Sequence, residues 1–161
     1  MLLKNLLGNP RVTYICVTFE LLIMQNEIRQ TWFFRQSPHV VWEYLTKPAL
    51  IEQWLGATDF QPIVGHKFRF ISPYGNDSFC EVLELKPFTK LSYSWRKNSV
   101  KDNKAFDSKV FWTLIPKENG VELQLVHNSF AVLEDLVAHE KGWNMVIKER
   151  LLNFITDSKV I

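Results

Sequence analysis

The sequence predicts an α+β domain in which an antiparallel sheet curls around one long C-terminal helix. Between Phe68 and Phe130 the chain alternates apolar and polar residues in runs separated by short turns, a pattern that favours antiparallel strands. After Gly142 the large apolar residues follow helical spacing and form one stripe: Trp143, Val146, Ile147, Leu151, Phe154 and Ile155. Because a sheet of this size twists, we expect it to wrap the apolar face of that helix.

The length and composition are those of one globular domain with its own core. The chain has 161 residues, 47% hydrophobic and 22% charged, which is ordinary for a globular protein. The aromatic share is 14%, with six Trp and twelve Phe. These rings either fill the core or line an aromatic pocket, and composition alone leaves both interpretations open.

Charge and cysteine content limit the possible partners and compartment. The net charge of +2 comes from interspersed residues without a basic stripe, so we predict no nucleic-acid partner. The basic run from Arg96 to Lys104 has the character of a solvated hairpin loop. Cys16 and Cys80 lie far apart and match no metal spacing, which favours a reducing, cytoplasmic location.

The first residues are predicted to be a leader outside the folded domain. Val12 to Met24 is apolar but shorter than the roughly 20 residues that a membrane span needs, and Pro10-Arg11 interrupts any signal peptide. Met24 directly precedes a polar turn and a clean strand pattern. We therefore assign residues 1–23 to a leader or extension and 24–161 to the domain, with no membrane span.

The first part of the domain predicts a strand followed by two short helices. Glu27 to Phe34 alternates as a strand, and Ser37-Pro38 is a helix-start signal. Lys47-Pro48 ends or bends the first helix, and Gly56 stops the second. Two abutting helices in this position make a platform that can close one end of a curved sheet.

Five further strands follow, and then the helix that begins at the Gly142-Trp143 pair. The strands are predicted over Lys67 to Ile71, Phe79 to Leu85, Lys90 to Arg96, Lys109 to Ile115 and Val121 to Asn128. We expect Trp143 to seat the helix on the sheet, and Gly142 to lie where a larger side chain would be crowded. The order of strand, two helices, five strands and helix is that of the helix-grip fold.

An ordered set of motifs connects the chain to a known family. The motifs are Val41-Trp42, Leu45-Thr46-Lys47-Pro48, Ile51-Glu52-Gln53-Trp54-Leu55-Gly56, Val64-Gly65-His66-Lys67-Phe68, Val82-Leu83-Glu84-Leu85-Lys86-Pro87, Leu91-Ser92-Tyr93-Ser94-Trp95, Leu125-Val126-His127-Asn128-Ser129-Phe130 and Gly142-Trp143. From about Glu27 to Ile155 the chain resembles the ATPase-activator-homologue-like branch of the START-like (SRPBCC) superfamily. It departs from that family at Ser129 and His66, where the family often carries glycine.

The resemblance implies a ligand cavity between the sheet and the C-terminal helix. The namesake of the family activates the ATPase of a heat-shock protein, but its separate N-terminal chaperone-binding domain has no room in this chain. A chaperone partner is therefore weakly supported, and a homodimer is possible.

Few residues carry recognisable reaction chemistry. The sequence contains no G-x-S-x-G, no H-E-x-x-H and no phosphate-binding glycine loop. His139-Glu140 lacks the second histidine one helical turn away that a zinc site requires. We predict no catalytic residue, no metal and no cofactor.

A group of aromatic and polar residues is predicted to line the cavity. His127 shares a strand face with Leu125, and it is either a ligand-binding or acid–base group or a core histidine bonded to backbone or to Tyr93. Arg150 either holds an anion or extends from the stripe into solvent. The complete candidate set is Phe68, Phe70, Tyr93, Trp95, Trp112, His127, Trp143, Ile147 and Arg150.

Three functions fit these residues. The favoured one is a non-catalytic module that binds an apolar or aromatic metabolite in the cavity. The second is an enzyme of the cyclase, dehydratase or hydrolase type, with His127 or Tyr93 as the acid–base group. The third is a chaperone-related interaction module, which a filled interior and a large exposed apolar patch would favour.

Overall fold

The computed structural model of the chain describes residues 26–157. The predicted leader, residues 1–23, the proposed start at Met24, and Cys16 lie outside the described residues. Within the described part, no helix is both long enough and apolar enough to span a membrane.

The order of elements confirms the predicted helix-grip fold. The first strand and the helical platform are β1 (Ile28–Phe34), α1 (Pro38–Thr46) and α2 (Pro48–Trp54). The remaining strands are β2 (Lys67–Phe70), β3 (Ser78–Lys86), β4 (Lys90–Asn98), β5 (Ala105–Lys117) and β6 (Gly120–Asn128). The C-terminal helix consists of α3 (Leu133–Met145), a π-helical segment (Val146–Leu151) and α4 (Leu152–Asp157).

The six strands form one antiparallel sheet in the order β1-β6-β5-β4-β3-β2. The register aligns Tyr93, Val110, His127 and Ile28 in one row across β4, β5, β6 and β1. All four side chains are buried, so this row lies on the face that the helix covers. An irregularity in the β3–β4 pairing between Val82 and Glu84 adds local twist, which helps the sheet to curl.

The platform forms where the sequence predicted it. The hydroxyl of Ser37 accepts a hydrogen bond from the backbone N–H of Val40 at 3.4 Å and caps α1. The indole N–H of Trp54 donates to the carbonyl oxygen of Tyr44 at 2.9 Å. This buried bond ties α2 to α1 and fixes the angle between the two helices.

The C-terminal helix begins earlier than its apolar stripe indicated. It starts at Leu133, so the prediction that Gly142-Trp143 opens it is wrong. Half of residues 133–142 are polar and few of their side chains are buried, so this segment carries a weak apolar pattern. The acidic residues Glu134 and Asp135 occupy the first turn, where they complement the partial positive charge of the helix N-terminus.

Gly142 is not crowded, contrary to the sequence-based expectation. A Cβ atom built at this position would meet no heavy atom within 4 Å. The residue lies within α3 on a side that faces open space, and Trp143, buried to 3% exposure, is the residue that contacts the core.

The π-helical segment keeps the apolar stripe in contact with the sheet. Trp143, Ile147, Leu151 and Ile155 recur every fourth residue, and all are buried. In an α-helix each step of four residues overshoots a full turn by about 40°, so a long stripe of this spacing would leave the sheet. The wider π turn, in which the N–H of Leu152 bonds the carbonyl of Ile147, takes back this drift. Phe154, which was predicted on the stripe, is 40% exposed instead.

Ser129 adopts the backbone conformation that a glycine would adopt easily. Its φ angle is 71°, in the left-handed region that most residues avoid. This is the position after β6 where the resemblance led us to expect glycine. The chain turns there from the sheet towards α3, and its backbone is strained at this turn.

Candidate functional site

The aromatic residues predicted to line a cavity mostly pack against one another. The rings of Phe68 and Tyr93 meet edge to face, with centroids 5.4 Å apart. Trp112 makes the same kind of contact with Trp143 at 5.5 Å and with Trp54 at 6.1 Å. Each of these side chains is buried, so the rings fill the space between sheet and helix and form the core.

Tyr93 is a buried hydrogen-bond acceptor. Its hydroxyl oxygen accepts a bond from the indole N–H of Trp112 at 2.9 Å. Burial raises the pKa of the Tyr93 hydroxyl above its ordinary value. The phenol stays neutral at physiological pH, which makes it unsuitable as a general base.

His127 belongs to a buried chain of hydrogen bonds. The indole N–H of Trp143 donates to His127 Nδ1 at 3.0 Å, which leaves Nε2 as the protonated ring nitrogen. Nε2 lies 2.8 Å from the Ser108 hydroxyl oxygen, and that hydroxyl donates to the Trp95 carbonyl at 3.0 Å. The partners therefore differ from those expected, because neither Tyr93 nor a backbone group bonds the ring.

This environment holds His127 in its neutral form. Burial, with a smaller effect from neighbouring His139, lowers the pKa of His127 to about 2. Protonation would also place a second N–H against the N–H of Trp143, which can only donate. His127 is therefore poorly suited to acid–base chemistry near neutral pH, and it serves to join β5, β6 and α3.

A cleft lies beside this core, at the end of the sheet where the β4–β5 hairpin approaches α3. Its volume is about 290 Å³, and it is open on one side. The lining residues come from the end of α2, from β4 and its hairpin, and from the C-terminal helix: Leu55, Trp95, Lys97, Val100, Ala138, His139, Gly142, Trp143 and Val146.

Two of the predicted site residues, Trp95 and Trp143, line the cleft. The other buried candidates lie outside its lining: Phe68, Phe70, Tyr93, Trp112, His127 and Ile147. Arg150 is exposed and also lies outside the lining. It has the solvent-directed position that was the second interpretation of its place on the stripe.

The hairpin that forms one wall is tied to the start of α3. Asp135 is buried, and its carboxylate accepts the backbone N–H of Val100 at 2.7 Å. At the surface, Lys101 pairs with Glu134 at 3.2 Å. These two contacts hold the hairpin against the helix.

The cleft has three polar groups in a mainly apolar wall. His139 Nδ1 lies 2.7 Å from the carbonyl oxygen of Asp135 and donates to it, which leaves Nε2 with a free lone pair. Lys97 is partly buried, and desolvation lowers its pKa. The indole N–H of Trp95 is buried and has no acceptor among the described residues.

Sequence analysis missed Lys97 and His139, although each carries a signal. Lys97 is in phase with Tyr93 and Trp95 on β4, so strand alternation directs it to the covered face. His139 precedes Trp143 by one helical turn, so both side chains lie on the same side of the helix. This spacing is informative only if the helix begins before Gly142. Within residues 26–157, no three His, Cys, Asp or Glu side chains are placed to hold a metal ion.

Comparison with solved structures supports the fold along most of the chain. Protein MLL2253 of Mesorhizobium loti is 28% identical with a TM-score of 0.75, over 84% of this chain and 99% of that one. CalU16 of Micromonospora echinospora is 26% identical with a TM-score of 0.63, over 82% and 75%. The Aha1 dimer of Colwellia psychrerythraea is 18% identical with a TM-score of 0.69, over 84% and 99%. None of the curated proteins compared with the chain is significantly similar to it.

The family relationship extends from the end of β1 to α4. The sequence model of the family described as activator of Hsp90 ATPase homolog 1-like protein matches residues 35–155. The match covers the platform, strands β2 to β6 and the C-terminal helix that bounds the cleft. The chain therefore belongs to the activator of Hsp90 ATPase homolog 1-like family.

Proposed function

We propose that this protein binds an apolar or aromatic small molecule in the cleft between α3 and the β4–β5 hairpin. The observation that carries this proposal is the lining of the cleft. Two indole rings, Trp95 and Trp143, stand among aliphatic side chains with few polar groups, the usual composition of a small-molecule site. A volume of about 290 Å³ is at the small end of such sites, which suits one or two fused rings or a short alkyl chain.

Binding without catalysis is the function that these residues support best. The two groups considered for acid–base chemistry, His127 and Tyr93, are buried, neutral and hydrogen-bonded to indole N–H groups. Among the described lining residues His139 is the one histidine, and burial lowers its pKa below the ordinary value. A reaction that needs a matched acid and base has less support in this cleft than simple retention of a ligand.

The proposal is tested by filling the cleft at Gly142. Because a Cβ at this position meets nothing within 4 Å, Gly142→Leu should place its side chain in the cleft without a clash. Replacing glycine within a helix also stabilises that helix by up to about 1 kcal/mol. We expect Gly142→Leu to fold with an unchanged or higher melting temperature and to lose the thermal shift that flat aromatic probes give the wild type.

Gly142→Ala is the matched control, since it gains helix propensity and leaves most of the cleft open. A bound probe at a hundredfold excess over its dissociation constant stabilises the folded state by about 2.7 kcal/mol, and this effect should persist in the alanine variant. Equal probe shifts in Gly142→Leu and the wild type would place binding elsewhere, and a screen without any saturable shift would contradict the proposed function.

We also propose that the protein forms a homodimer, as the Colwellia psychrerythraea protein is described to do. Size-exclusion chromatography with light scattering should give twice the mass of the chain, and the mass of one chain would contradict the proposal. A chaperone partner is implied by the family name alone and stays a prediction, as does the cytoplasmic location.

A further inference from the structure

Lys97 differs from the two lysines of the loop between β4 and β5 because it lacks an ionic partner. Lys101 pairs with Glu134 at 3.2 Å, and Lys104 pairs with Asp102 at 3.4 Å. Lys97 makes no ion pair within 4 Å among the described residues, although it is the most deeply placed of the three. A partly buried ammonium group without a counter-ion is unfavourable, which calls for an explanation.

The carboxylate that attracts Lys97 is that of Asp77, which forms no ion pair with it within 4 Å and already contacts two other groups. Asp77 attracts Lys97 electrostatically, but its carboxylate already accepts the backbone N–H of Ser72 at 2.9 Å. It also lies 3.9 Å from the guanidinium of Arg69. The cation therefore remains available at the boundary between the polar surface and the apolar cleft.

The cleft offers positive charge and hydrogen-bond donors without any acidic side chain. Among residues 26–157, Lys97 is the one Lys, Arg, Asp or Glu side chain in the lining. Trp95 and Trp143 supply the apolar surface beside this cation. A wall with one cation and apolar rings is complementary to an anionic acceptor group at one end of an apolar body.

We propose that the ligand of this cleft is an amphipathic organic acid. Its apolar body lies against the indoles of Trp95 and Trp143, and its carboxylate accepts a hydrogen bond from the ammonium of Lys97. This inference rests on the proposed function, because it assigns the ligand class of the same site. It also accounts for an unpaired lysine on the covered face of β4, where an apolar residue would be the simpler choice.

Two pairs of probes, each an acid and a neutral compound with the same apolar body, separate the contribution of the carboxylate from that of the body. The pairs are 2-naphthoate with 2-naphthamide, and decanoate with decanol, each titrated calorimetrically at pH 7. In the wild type we expect each acid to bind at least tenfold more tightly than its neutral counterpart. In Lys97→Met the acids should fall to the affinity of the neutral probes, whose own binding should stay within twofold of wild type.

Lys104→Met is the matched control, since it removes the same charge from the same hairpin outside the cleft. It should leave all four affinities as in the wild type, and an equal loss would mean that net charge, rather than contact with Lys97, governs acid binding. Equal binding of acid and neutral probes to the wild type would overturn the inference while the proposed function stands. If no probe binds, the inference and the proposed function fail together.

Discussion

Individual residues decide what chemistry is open to this protein, and His127 shows this most clearly. Its ring is held between an indole N–H on Nδ1 and a serine hydroxyl on Nε2. A histidine on the covered face of a strand could equally have been an acid–base group, because sequence pattern gives its direction but not its partners. Those partners, Ser108 and Trp143, come from β5 and α3, and only the folded structure brings them together.

The buried state of His127 predicts a dependence of stability on pH. The pKa of His127 is about 2 in the folded state, below its ordinary value of 6.5, so the stability that depends on its neutral form is present above pH 6.5. Below that pH the unfolded chain takes up a proton that the folded chain does not, and stability continues to fall towards pH 2. Between pH 7.5 and 5.5 this residue should lower the free energy of unfolding by about 1.4 kcal/mol, with His139 acting in the same direction.

Urea denaturation at the two pH values measures this loss, and NMR of the imidazole nitrogens identifies its source. The spectrum should show His127 as the Nε2–H tautomer throughout this range. A His127 signal that titrates between pH 5.5 and 7.5 would contradict the assignment of a locked, neutral ring.

At the scale of elements, the alternation of apolar and polar residues identified the strands well. The start of the C-terminal helix was placed wrongly, because its prediction relied on the first residues of the apolar stripe. The strand predictions located all six strands, although β5 begins at Ala105 rather than at Lys109. The C-terminal helix was recognised from the part that begins at Gly142 alone, because residues 133–142 bury few side chains. The missing turns carried His139, and the cleft was missed with them.

The π-helical segment gives a prediction about tolerance to changes in length. A π turn holds one residue more than an α turn, so deleting the exposed Glu149 should let this segment close as an α-helix. Leu151 and Ile155 would then follow Trp143 in the i, i+4, i+7, i+11 pattern and still face the sheet. We expect this deletion to retain most of the stability measured by urea denaturation.

The matched change is an alanine inserted after Glu149. It adds a further rotation of about 100° to everything beyond it and turns Leu151 and Ile155 away from the sheet. The insertion should therefore cost much more stability than the deletion. If the insertion cost less stability than the deletion, the explanation that the π turn keeps the apolar stripe facing the sheet would be wrong.

For the whole molecule, the order of elements made the fold predictable, but the division of the aromatic residues between core and cleft was not. A ring on the covered face of a strand looks the same in sequence whether another ring or a ligand lies against it. Phe68, Tyr93 and Trp112 fill the interior, while Trp95 and Trp143 each have one side in the core and another in the cleft. Whether a ring lies in the core or also borders the cleft depends on the distance between the hairpin and α3. This distance cannot be predicted from the sequence of either segment alone.

The pairing of β1 with β6 joins the first and the last strand of the sheet in chain order. Ile28 lies beside His127, and Phe34 lies beside Val121. During synthesis β1 leaves the ribosome first, yet its neighbour emerges only after the other four strands. Contacts between such distant segments carry a high entropic cost of loop closure and slow the folding reaction. The apolar side of β1 therefore lacks its partner strand while most of the domain is made, and it is open to incorrect contacts during that interval.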